Sequence, residues 1–277
     1  MNLIELKELF NSIRQNQYKP PLITTIDELL PIFLDNIGNP DGDLRDRLIY
    51  DILSEWIYQG VYNRDQTLDI VSILMDENHL FSGLGTKDND TLFTRSFSVL
   101  QLWAVLFTHH KEPFLPQETI LQIANNVLIL LEQEKDLRGY IQGNGWGHCI
   151  AHSADCIAQL VKDPQLEVNW HAKFMRTIIS KVLEADFIYT GDECERLAGP
   201  AAEIILRRSS SKLVLDEFFD DLISTRKRDG IHPQQFFRFV NARDFLRGIY
   251  FYLRNQTSPQ DLIGWIDQKL FEISQRS

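Results

Sequence analysis

Apolar residues return at every third or fourth position along almost all of this 277-residue chain, and strict alternation is nearly absent. A repeat near 3.6 residues places them on one face of a helix, whereas a sheet needs a repeat of two. The stretch from 89 to 109 offers Leu92, Phe93, Phe97, Leu100, Trp103, Ala104 and Phe107. Another, 233–254, is apolar over a similarly wide arc. Such arcs must be covered by neighbours, so these helices belong inside the fold.

The periodicity predicts about twelve helices, over 3–16, 25–37, 42–59, 64–78, 89–109, 117–136, 147–162, 167–184, 191–208, 210–226, 233–254 and 259–275. Thr25 with Glu28 has capping-box spacing, as does Thr190 with Glu193. Asp41 or Asp43 is placed to cap the third helix. Gly199-Pro200 predicts a kink or break in the ninth. Short loops make consecutive helices antiparallel neighbours. The expected fold is all-α, a single domain over 1–277 with the helices stacked as an irregular armadillo- or HEAT-like α-solenoid. A compact multi-helix bundle or an α/α toroid is the alternative.

A net charge of −11 repels phosphate backbones and anionic lipid, so neither nucleic acid nor membrane is an expected partner. Cys149, Cys156 and Cys194 lack CxxC spacing and read as buried thiols. No apolar run is long enough to cross a bilayer, and the start reads as an amphipathic helix; the expected location is cytoplasmic. The chain leaves oligomeric state open.

The chemistry-bearing stretch is EKDLRGYIQGNGWGHCIAHSADCIAQL, 134–160. Gly139, Gly143, Gly145 and Gly147 make a turn that reads as a bend or pocket wall, and the motif runs over 139–155. On the helix that follows, His148, His152 and Asp155 stand at i, i+4 and i+7 and would share a face. HxxxH is a zinc-binding geometry, but Cys149 stands where a zincin carries its glutamate. Three readings stay open: a divalent metal such as zinc on His148, His152 and Asp155, a hydrogen-bonded core network, or a metal-free ligand or acid–base site. Arg95, Arg138 and Arg196 lie in apolar surroundings. Each either pairs with an internal acid or joins Trp146 around His148 to recognise an anion. The other tryptophans, Trp56, Trp103, Trp170 and Trp265, read as inter-helix core. No dinucleotide fingerprint, phosphate loop or nucleophile elbow is present.

The segments LRDRLIYDIL (44–53), TLFTRSFSVLQL (91–102), 134–160 and GDECERLA (191–198) resemble the bacterial domain-of-unknown-function family 2785. The most specific part is the DLRGY…GxGWxHxxAHxAD string, which includes Arg138, Trp146, His148, His152 and Asp155; Gly147 and Cys149 replace the usual alanines. The resemblance, expected to span nearly the whole chain, implies a cytosolic all-helical bacterial protein and carries no assigned catalytic residue. Two functions are therefore weighed. One is a helical-repeat binding or scaffold protein with a polar pocket for a small anionic ligand or protein partner. The other is a metal-dependent or acid–base hydrolase centred on His148, His152 and Asp155.

Overall fold

A computed structural model describes residues 2–184, 187–208, 212–224, 233–256 and 258–275. Helices α1 (Leu3–Gln15) and α2 (Ile26–Asp35) lead into a π-helical segment, Asp43–Tyr50, that continues as α3 (Asp51–Tyr58). Next come α4 (Arg64–Leu74), α5 (Thr91–Lys111) and α6 (Gln117–Gln133). A two-stranded hairpin, β1 (Tyr140–Ile141) and β2 (Gly145–Trp146), precedes α7 (Cys149–Lys162). The described chain closes with α8 (Asn169–Val182), α9 (Glu193–Leu206), α10 (Lys212–Ser224), α11 (Pro233–Asn255) and α12 (Gln260–Ser274). The all-helical class and nearly every helix follow the periodicity. Of the expected tenth helix, 210–211 and 225–226 lie outside the described residues.

The order of packing is regular. Helices α3, α5, α7, α9 and α11 lie successively side by side, while α6, α8 and α10 form a second row behind them. Helix α12 packs on α11 and α10. The wide apolar arc of α5 explains its place between α3 and α7: Leu92, Phe93, Phe97, Val99, Leu102, Val105 and Leu106 are all buried. Trp56 is fully buried too, edge-on to Phe33 with ring centroids 5.5 Å apart. Such an aromatic pair adds about 0.5–1.5 kcal/mol beyond its burial.

The caps divide. Thr25 and Glu28 form the reciprocal box, at 3.2 and 2.9 Å. Asp41 accepts from the Leu44 N–H at 3.0 Å, as its position before the third helix suggests. The Thr190–Glu193 box does not form. Helix α9 starts only at Glu193, after Asp192 in a left-handed conformation, and the Glu193 carboxylate takes the Gly191 N–H instead. Of the expected kink or break at Gly199-Pro200, the break does not occur: helix α9 continues through Pro200. Proline has no N–H, so the Arg196 carbonyl loses its helical donor there.

Candidate functional site

The glycine-rich stretch folds as a tight hairpin. Tyr140 pairs with Trp146 and Ile141 with Gly145, across a three-residue loop. Gly145 has φ +87°, a left-handed conformation that a side chain would strain. Arg45, on the π-helical segment, holds the hairpin from below. Its guanidinium donates to the carbonyls of Asn39 (2.7 Å), Asn144 (2.9 Å) and Trp146 (3.3 Å). It lies over the rings of Phe93 and Phe97, 4.1 and 4.8 Å from their centroids, and is wholly buried. Its Nε is 2.8 Å from Asp46 Oδ1, close enough for an ion pair but out of line for a hydrogen bond. Burial outweighs that cation and pushes the Asp46 carboxyl up to about 6.

His148 does not sit inside the helix as the i, i+4, i+7 pattern supposed. It is the residue before α7, at φ 51°, and only its carbonyl joins the first turn, accepting from His152 N–H at 2.9 Å. Its imidazole stacks on Trp146, with centroids 4.1 Å apart and planes at 26°. The His152 ring stands edge-on at 5.8 Å. The Nε2 of His148 is buried without a hydrogen bond, and the nearest carboxylate oxygen, Glu193 Oε1, is 3.7 Å away. Burial lowers the His148 pKa and raises that of Glu193, so the enclosure favours the neutral form of each. Gly191 makes the fit close: a Cβ there would stand 2.8 Å from both His148 Nε2 and Glu193 Oε1.

His152 is buried on α7. The Ser96 hydroxyl donates to the Gly147 carbonyl, so its oxygen must accept from His152 Nδ1, 2.9 Å away. The Ser96 carbonyl accepts from the same nitrogen at 3.2 Å. The proton therefore belongs on Nδ1 and the lone pair on Nε2. Burial, then the nearby His148 and Arg196, hold the His152 pKa down to about 3.

Asp155 faces Arg196 rather than a shared ion. Arg196 Nε donates to Oδ1 at 2.7 Å and Nη2 to Oδ2, a two-pronged pair across α7 and α9. Among the described residues no three histidine, cysteine, aspartate or glutamate side chains stand together in a way that could hold a metal ion. His148, His152 and Asp155 thus do not close as a three-ligand set: one has left the helix and another is engaged by a guanidinium.

Of the three arginines, only Arg196 comes near His148, while Arg95 and Arg138 take the other course open to them and pair with internal acids. Arg95 is buried against Glu134, at 2.7 and 2.9 Å, and also donates to the Ser82 carbonyl and the Thr91 hydroxyl. The side chain of Arg138 turns back to Asp136 and to the Asn89 carbonyl. Trp146 does border the site and is 42% exposed. The partners missed from sequence are Arg45, Ser96, Glu134 and Glu193. Arg45 carried the same signal as Arg95, a cation within an apolar helical period, and Ser96 adjoins Arg95 directly. All three cysteines are buried, as their spacing suggested, and form no disulfide; burial raises the pKa of each thiol.

The model of a family described as "Protein of unknown function (DUF2785)" matches residues 80–251, more than half of the chain. The chain belongs to the DUF2785 family. The match takes in the hairpin, both histidines, Asp155 and Arg196, but not the segment 44–53 that also suggested it, so it is shorter than the near-complete span expected. No curated protein and no solved structure matches the chain. No helix among the described residues is long and apolar enough to cross a membrane.

Proposed function

We propose that this DUF2785 protein is a binding protein on an irregular helical-repeat scaffold, and that Arg196, on the same side as His148 and Trp146, takes a small anionic ligand. The successive rows α3-α5-α7-α9-α11 and α6-α8-α10 support the repeat reading, because each helix meets the one two places on. The observation that carries the ligand reading is the Arg196–Asp155 pair. Its side chains are 37% and 21% exposed, and Arg196 lies near two imidazoles whose enclosure favours neutrality, one of them stacked on the exposed Trp146 indole. A ligand carboxylate or phosphate would displace Asp155 from the fork of Arg196 and stack against Trp146.

The test is a thermal-shift titration with inorganic phosphate, citrate and a phosphate monoester. At least one should stabilise the protein. Asp155→Asn should strengthen that binding by removing the competing carboxylate, and Arg196→Gln should abolish it. Absence of stabilisation by every anion, or equal stabilisation of Arg196→Gln, rules the reading out.

A second reading, acid–base hydrolysis, draws on the unpaired His148 Nε2 beside Glu193. Catalytic hydrogen bonds are often longer in the free protein than in the reacting complex, and the 3.7 Å separation falls in that longer range. Turnover of chromogenic esters or phosphoesters, lost in both His148→Gln and Glu193→Gln, would support it; turnover that survives either change would not.

A further inference from the structure

Helices α3 and α5 leave a groove of about 290 Å³ between them, and its chemistry differs from that of the His148 site. Asp51, Glu55 and Tyr58 recur at helical spacing on one wall, and Trp103 and Phe107 stand one turn apart on the other. The Trp103 and Phe107 rings are stacked, 5.4 Å apart and 19° from parallel. The chain already seats cations along this surface. One turn beyond Phe107, the Lys111 ammonium lies 4.0 Å from the Tyr58 ring centroid and 4.6 Å from that of Phe107, and donates to the Tyr58 hydroxyl at 2.6 Å. On the other side, Arg14 reaches Asp51 at 3.4 Å. Glu55 faces the same groove, accepts from Gln59 Nε2 at 3.0 Å, and has no cationic partner among the described residues.

Ring faces carry negative potential and attract a cation that sheds water readily. A weakly hydrated, methylated ammonium suits such walls better than a small ammonium, because its methyl groups pack on the rings while its charge stays close to a carboxylate. The net charge of −11 favours the approach of any cation. We propose that this groove binds an alkylated ammonium group, with Trp103 and Phe107 against its methyls and Glu55 as its counter-charge.

Isothermal titration of the full chain with choline chloride, and with its neutral isostere 3,3-dimethylbutan-1-ol, tests this. Choline should bind with millimolar affinity, and the isostere about tenfold more weakly or not at all. Glu55→Gln and Phe107→Leu should each weaken choline about three- to tenfold. Glu55 is half-buried and Phe107 exposed, so neither change should alter the circular dichroism spectrum. Equal binding of the isostere would mean a merely apolar groove and overturn the proposal. So would choline binding unaffected by both substitutions, or no choline heat up to about 10 mM.

Discussion

Arg95 on α5 and Glu134 just past α6 meet as a wholly buried, two-pronged ion pair, at 2.7 and 2.9 Å. Glu134 Oε1 also accepts the Asp136 N–H, and the Glu134 carbonyl accepts from Lys181 at 2.8 Å. The pair ties the exit of α6 to α5, and the Glu134 carbonyl ties it to α8. Removing one partner leaves a buried charge unanswered. Glu134→Gln should cost about 3–5 kcal/mol in urea unfolding, and the double change Arg95→Met with Glu134→Leu distinctly less. A double variant no better than the single would contradict this account.

His152 makes stability depend on acid. Its pKa is held near 3 in the folded chain, against 6.5 for an ordinary histidine. The unfolded state then binds the proton more readily, so this contribution is intact above about pH 6.5 and is lost as pH falls toward 3. Each pH unit in that window should cost roughly 1.4 kcal/mol from this residue. Urea unfolding of wild type and His152→Asn at pH 7 and pH 5 checks it: the variant should show the shallower slope, whatever its absolute stability.

Gly191 is fixed by space rather than by backbone conformation. A methyl group there would meet His148 Nε2 and Glu193 Oε1 at 2.8 Å. Gly191→Ala should destabilise by about 1–3 kcal/mol. It should also move the imidazole under Trp146, seen as a fluorescence change absent from a Trp146→Phe background. An unchanged emission spectrum would show that the imidazole keeps its place.

Arg45 serves the hairpin specifically. Arg45→Met removes three donations to carbonyls and should cost about 2–4 kcal/mol. Amide exchange should quicken first over residues 139–148, with α11 protected until global unfolding. Uniform quickening of both would count against a local clamp.

The helices were legible because burial of a helix face writes itself as a 3.6-residue repeat. Trp146 was legible as a site residue because it stands among glycines, where no core face needs an indole. What failed was the treatment of residues 147–162 as one helix. His148 takes a left-handed turn so that its ring can lie under Trp146, and nothing in local spacing reports that reversal. The destinations of Arg95 and Arg138 were equally hidden. Each pairs with an acid from the EKD run at 134–136, and which charge meets which depends on how the chain leaves α6. The hairpin was missed because strands of two residues are too short to show alternation.

The π-helical segment bearing Arg45 lies outside residues 80–251, yet its guanidinium forms the floor beneath the hairpin. A fragment trimmed to the family boundaries would keep His148 and His152 while losing the cation that holds the backbone of the neighbouring Trp146. Work on isolated pieces of this chain should therefore begin upstream of residue 45, so that the hairpin keeps its anchoring cation.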